Sequence, residues 1–242
     1  MMFDAPAEQR TRIKICGLTR EADVDAAVDA GADAVGFVMY APSPRSVSVD
    51  RAAILARRLP AFVTPVLLFV NEAPESILAA CDKVPGATLQ FHGDESAAEC
   101  LIATGGTRPY LRAARIPLEG AGAFDLLEFA STHSSAQAIL LDAHVDGFGG
   151  GGKAFDWSRL PPNVNCHLVL SGGLTPANVT DGILQVRPRC RSLAVDVSSG
   201  VERDGPGNKG IKDAGKINRF VAAVRAADRQ LAHIPHVLLP TA

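Results

Sequence analysis

Eight short apolar runs, each followed by a longer segment of helical period, recur along this chain at a spacing of roughly 30 residues, the length of one strand–helix–strand unit. The runs fall at 12–16, 33–39, 63–70, 87–91, 109–113, 138–142, 167–171 and 192–197. Several are apolar throughout, among them Val66-Leu67-Leu68-Phe69-Val70 and Ala138-Ile139-Leu140-Leu141. Strands covered on both faces by helices need this composition, and the alternation predicts a parallel sheet. Eight units form either an open doubly wound sheet or a closed barrel, and periodicity alone does not choose. Closure leaves no unpaired strand edge, and eight is the number of strands such barrels use.

The punctuation between the runs supports the same layout. Pro74 opens the helix after the third run, and Thr175-Pro176 predicts an N-cap and first-turn proline after the seventh. The last helix, about 213–228, puts Ile217, Phe220, Val221 and Val224 on one apolar stripe. The fifth unit is blurred by Thr104-Gly105-Gly106-Thr107-Arg108-Pro109 and by Leu118-Glu119-Gly120-Ala121-Gly122. A chain of 242 residues suits one barrel, and no interdomain linker is visible. The expected organisation is a disordered extension over 1–10, a catalytic barrel over 11–229 and a tail over 230–242 containing Pro235 and Pro240.

Composition narrows the function classes. The formal net charge is −2 and the basic residues are scattered, which excludes a nucleic-acid surface. No apolar run approaches the roughly 18 residues of a membrane span. Met1 to Arg10 carries two acids and a proline where a secretory signal would be apolar. The five cysteines are odd in number, widely spaced and free of any Cys-x-x-Cys pair, so they read as reduced thiols and the expected location is the cytoplasm. The six histidines form no ligand cluster, so no metal is expected.

Parallel barrels place their active sites at the carboxyl ends of the strands. That filter selects Cys16, Asn71, His92, Asp142, Ser171 to Gly173 and Asp196 to Gly200, with Pro42 to Arg45 on the second loop. Cys16 reads either as a packing residue or as a thiol at the barrel mouth, ionised in part by a helix starting near Thr19. Asp142 either caps the next loop or supplies an acid opposite that thiol, the pair that proton transfer on one substrate needs. Ser171-Gly172-Gly173 and Ser198-Ser199-Gly200 end the last two strands, where barrels bind phosphate with backbone N–H groups. Arg45, on a loop stiffened by two prolines, either presents a forked guanidinium to a carboxylate or is simply a solvated loop residue.

One further stretch, Gly147 to Lys153, imitates a nucleotide phosphate loop, but Ala154 stands where that loop needs a Ser or Thr hydroxyl for magnesium. A glycine-rich loop that closes over substrate, or plain flexible surface, is the better reading.

Seven stretches taken together resemble the phosphoribosylanthranilate isomerases of tryptophan biosynthesis. They are Lys14 to Thr19, Pro42 to Arg45, Gln90 to Glu95, Leu141-Asp142, Gly152 to Trp157, Ser171 to Leu174 and Asp196 to Glu202, in the family's order. The chain departs from the family's usual residues at Ala154 and Phe91, and its glycine run before Lys153 is longer. The resemblance implies a single-domain (β/α)8 TIM barrel that performs a cofactor-free Amadori rearrangement on a phosphorylated sugar–anthranilate. It implies Cys16 as general base and Asp142 as general acid, Arg45 on the anthranilate carboxylate, His92 and Asp196 lining the substrate. The phosphate would lie on Gly172, Gly173, Ser198, Ser199 and Gly200. A monomer or homodimer is expected, with no macromolecular partner. The rivals are another phosphosugar aldose–ketose isomerase, against which Cys16 speaks, and a noncatalytic phosphate-binding barrel, which would need neither Cys16 nor Asp142.

Overall fold

All eight expected runs are strands, and they close. The structure, a computed structural model, describes residues 10–118, 124–144 and 154–233. The strands are β1 (Arg12–Cys16), β2 (Ala34–Val38), β3 (Thr64–Phe69), β4 (Thr88–Phe91), β5 (Tyr110–Pro117), β6 (Ala138–His144), β7 (Val164–Leu170) and β8 (Cys190–Val197). Each pairs in parallel with its neighbours in sequence, and β8 returns to β1, so the open-sheet alternative is excluded. Around the barrel lie α1 (Glu21–Asp29), α2 (Val49–Ala56), α3 (Pro74–Lys83), α4 (Ala97–Ala103), α5 (Leu126–Thr132), α6 (Val179–Val186) and α7 (Ala214–Ala232). Between β6 and β7 the described residues contain only the 3-10 turn Trp157–Arg159. None of the described helices is long and apolar enough to cross a membrane.

The strand period of two sorts side chains between two cores. Outward residues such as Ile13, Ile15, Phe37, Leu67, Leu89 and Leu141 join the helix stripes in one large cluster. Inward residues form two small clusters, Cys16, Val38, Leu68 and Val70 at one level and Ala113, Ala138, Leu140 and Val169 at another. The stripe Ile217, Phe220, Val221 and Val224 of α7 is buried as expected. Each such side chain contributes about 1.5–3 kcal/mol.

Several boundaries differ from expectation. β5 and β6 both run longer, because their pairing continues through Arg115↔Asp142 to Pro117↔His144, so Asp142 lies two residues inside its strand. α1 begins at Glu21, not near Thr19, after Arg20, which lends no side-chain cap. Thr175 does not cap α6. It opens a turn, accepting from the Ala177 N–H at 3.2 Å, and α6 starts at Val179 after Asn178. Pro74 is the first residue of α3 as expected. α7 extends to Ala232, past the expected boundary at 229. The expectations for residues 1–9 and 234–242, for the glycine loop 147–153 and for 119–122 lie outside the described residues. Arg10 is described and forms an ion pair with Asp33.

One buried cation fixes the end of β4. Arg112 points outward from β5, its guanidinium 5.6 Å from the Phe129 ring centroid. It donates to the carbonyls of Phe91, Ala113, Gly93 and Glu95 at 2.9–3.2 Å. The Glu95 carboxylate lies 3.5 Å from Arg112 and accepts from the backbone N–H groups of Asn71 (2.8 Å) and Gly93 (3.0 Å). Asn71, held at φ 50°, accepts from the Asp94 N–H at 2.7 Å. Asn71 is thus a joint between two loops and not a group at the mouth. Arg112→Met would leave Glu95 buried without its cation and take a donor from four carbonyls. A loss of about 3–5 kcal/mol is expected by urea denaturation. A loss under about 1 kcal/mol would show that the clamp is dispensable.

Candidate active site

At the carboxyl end of the barrel, buried polar and ionisable residues gather where a protein interior is normally apolar. Lys14, Arg45, Gln90, His92, Asp142, Asp196, Glu202 and Lys212 are all buried. Burying charge is tolerated only where partners replace water, and three linked groups of partners do so.

The first lies on β4 and β6. The Gln90 amide donates to His92 Nδ1 at 3.0 Å, which places the imidazole proton on Nε2. That N–H meets Asp142 Oδ2 at 2.9 Å, while the Ala143 N–H donates to Oδ1 at 2.9 Å. Gly172, at φ 74°, brings the end of β7 against the same carboxylate: a Cβ there would lie 2.5 Å from Ala143 N and 2.8 Å from Asp142 Oδ1. Only glycine permits that approach.

The second joins β1 to β8. Lys14 and Asp196 are register partners, and Lys14 Nζ donates to Asp196 Oδ1 at 2.8 Å. Ser171 Oγ donates to Asp196 Oδ2 at 3.3 Å. Burial works against the Lys14 ammonium, but Asp196 and the neighbouring Cys16 sulfur outweigh it and push its pKa up. Cys16 stands two residues after Lys14, on the same inward face. Gly36 of β2 makes room for both: a Cβ there would lie 2.7 Å from Cys16 Sγ and 3.1 Å from Lys14 Nζ. Burial pushes the Cys16 thiol up, the Lys14 charge opposes this, and Asp196 adds to it. The expectation of a thiol ionised by the next helix is corrected on both counts. Burial raises it, and the main opposing charge is on its own strand, not at α1.

The third lies beyond the thiol. Ser198 Oγ donates to the Cys16 carbonyl at 3.1 Å, and Lys212 Nζ reaches Ser198 O (3.0 Å), Ser198 Oγ (3.2 Å) and Glu202 Oε1 (3.1 Å). Arg45 is not a solvated loop residue. It grips Glu202 with two bonds, Nε to Oε1 at 2.7 Å and Nη2 to Oε2 at 3.1 Å. Burial raises the Glu202 carboxyl, but the hydrogen bond from Arg45 and the charge of Lys212 outweigh it and hold the group below its ordinary range.

The expected residues therefore gather at one end. Cys16 on β1 and Asp142 on β6 stand across the mouth, with β7 and β8 between them on the shorter way round. Gly172 and Gly173 follow β7, while Ser198 and the short helix holding Ser199 and Gly200 follow β8; all five are half-buried. Among the described residues the N–H groups of Gly172 and Gly173 meet no backbone acceptor. The Ser198 hydroxyl is engaged with Cys16 and Lys212. The other four cysteines pack against the large core, and burial raises Cys100 and Cys190 to about 11. Lys14, Gln90, Glu202 and Lys212 carried no expected role. For Lys14 and Gln90 a signal was present, since each stands two residues before a site residue on a strand and so shares its face.

A closed parallel barrel that gathers a buried thiol, a buried carboxyl group and two glycine–serine loops at the carboxyl ends of its strands has the groups that proton transfer on an anionic substrate needs. Residues 13–223 match the family model of N-(5'-phosphoribosyl)anthranilate isomerase. The N-(5'-phosphoribosyl)anthranilate isomerase of Methylibium petroleiphilum is 65% identical over 223 residues, covering 92% of this chain and 98% of that one. The crystal structure of phosphoribosyl anthranilate isomerase from Thermotoga maritima superposes with a TM-score of 0.73 at 37% identity, over 89% of this chain and 99% of that one. A structure of the isomerase in complex with reduced 1-(o-carboxyphenylamino)-1-deoxyribulose 5-phosphate matches at TM-score 0.70 and 35% identity, with the same coverage. The chain belongs to the phosphoribosylanthranilate isomerase family and is an isomerase of tryptophan biosynthesis.

The space at Gly36 tests this geometry. Gly36→Ala should fold, with an unchanged far-ultraviolet circular dichroism spectrum, yet lose roughly 100-fold in turnover because the thiol must move by about an ångström. Wild-type turnover would show that the sulfur's position is not critical.

Proposed function

We propose that this enzyme converts N-(5-phosphoribosyl)anthranilate to 1-(2-carboxyphenylamino)-1-deoxyribulose 5-phosphate, with Asp142 as general acid and Cys16 as general base. The observation that carries this reading is that β1 and β6 bring the two groups to one end of the barrel, Asp142 held by His92 and the Ala143 N–H and Cys16 beside Lys14 in the space left by Gly36.

Asp142, steadied by His92 and the Ala143 N–H, gives a proton to the ring oxygen. The C1–O bond breaks toward that oxygen as the nitrogen lone pair forms a C=N iminium. The iminium makes the neighbouring C2–H acidic, and its positive charge favours the thiolate. Cys16 takes the C2 proton, and the bonding pair becomes the C1–C2 double bond of an enolamine. Ketonisation then returns one proton to C1 and releases one from the 2-hydroxyl, so the reaction is a net isomerisation and calls for no cofactor. General acid and base terms of this kind each contribute about 10²–10⁴-fold.

The remaining assignments follow from donor inventories. The N–H groups of Gly172, Gly173, Ser199 and Gly200 cradle the phosphate, and Ser198 shares in this from its place between the loop and Cys16. Arg45 has five N–H donors, of which Glu202 takes two, and it holds the anthranilate carboxylate with the others. Asp196 and His92 line the sugar. The enzyme works in the cytoplasm as a monomer or homodimer on a small molecule.

Cys16→Ser and Asp142→Asn should each lower turnover by about 10²–10⁴-fold with substrate binding largely retained, followed by the loss of substrate fluorescence. Near-normal turnover in either variant sinks that residue's assignment.

A further inference from the structure

We propose that Lys14 is a positioning residue for the thiol: its ammonium, anchored by Asp196 across the closing seam of the barrel, presents a second donor to Cys16 Sγ and keeps the thiolate within reach. This rests on the reading of Cys16 as the base.

The geometry is specific. Lys14 and Cys16 are two apart on β1, so both point into the barrel, and the absent side chain at Gly36 leaves them one shared space. Lys14 has three N–H donors; Asp196 Oδ1 takes one at 2.8 Å, and the ammonium and the Cys16 sulfur border the same space at Gly36. An aliphatic residue would fill this interior position more cheaply, since the buried pair must recover the desolvation of both its ions.

The charged groups that face the sulfur are few. From β1 there is Lys14, from β8 Asp196, and from the loop before α7 Lys212, which shares Glu202 with Arg45. β2 offers Gly36, Val38 and, just beyond it, Tyr40; β3 offers Leu68 and Val70. Buried against this apolar surface, the sulfur depends on neighbouring charges to stabilise a negative charge. Lys14 is the cation on its own strand, and among the neighbours that favour the thiolate its charge is the largest cause.

The test reads the pH midpoint for alkylation of Cys16 by iodoacetamide, followed by mass spectrometry of the Cys16 peptide. In Lys14→Met the midpoint should rise by roughly one to three pH units, with a 10- to 1000-fold slower reaction at pH 7. Lys14→Arg should keep the charge and most of the reactivity. Asp196→Asn should move the midpoint the other way, because it removes a carboxylate that opposes the thiolate. The double variant Lys14→Met with Asp196→Asn leaves no buried unpaired charge, so it reads the effect even where Lys14→Met alone fails to fold. Its midpoint should still lie above the wild type. Coincident midpoints in wild type and double variant, or a slowing equal at every pH, would overturn the Lys14 inference. Full turnover by Cys16→Ser would overturn the base assignment instead, and the two failures are read from separate measurements.

Discussion

The ion pair between Lys14 and Asp196 joins the two ends of the sheet, and much of the site depends on it. The residues are register partners on the first and last strands, so the pair forms only if the barrel closes in this register. Slipping β8 by one residue would turn its whole inward set toward the helices, Asp196 included, and leave the Lys14 charge without a partner. Desolvating two ions makes such a pair a poor source of net stability, while breaking it costs roughly 3–5 kcal/mol. Its contribution is therefore better described as specificity: the register that closes the barrel is also the one that sets an ammonium beside Cys16.

From that seam the polar contacts run in both directions. Toward β7, Asp196 takes the Ser171 hydroxyl, and Gly172 next to it presses on Asp142. On the other side, Cys16 is tied through its carbonyl to Ser198, then Lys212, Glu202 and Arg45. Asp142 and Cys16 are thus joined along one arc of the mouth, through strands β6, β7, β8 and β1. The opposite arc, β2 and β3, is apolar where it faces the thiol. The apolar arc sets the dielectric that makes each charge on the polar arc count.

The layout of strands was legible because a both-faces-buried strand leaves a nearly pure apolar run, and all eight such runs were strands. Their ends were less so. The carry of β6 past Asp142 comes from pairing with β5, a partner that local composition does not reveal. The site was legible to the extent that strand ends announce it: Cys16, His92, Asp142 and the glycine–serine loops stand at one end of the barrel. What the residues themselves did not disclose was who holds whom. Arg45 reads as a free fork until Glu202, 157 residues away, is seen to occupy it. Lys212 has no local signal, since nothing near it in the chain explains a buried lysine. The direction of the Cys16 shift was misread for a similar reason, because burial by β2 and β3 is a property of the closed barrel.

The central claim is that one bound substrate meets the acid, the base and the anion loops at once. The direct measurement is a crystal structure of this enzyme with a reduced, non-reacting product analogue. The account predicts the sugar C2 atom within about 3.5 Å of Cys16 Sγ, a phosphate on the N–H groups of Gly172, Gly173, Ser199 and Gly200, and the oxygen that leaves the ring facing Asp142. A bound analogue with its phosphate on those loops but its C2 turned away from Cys16 would contradict it.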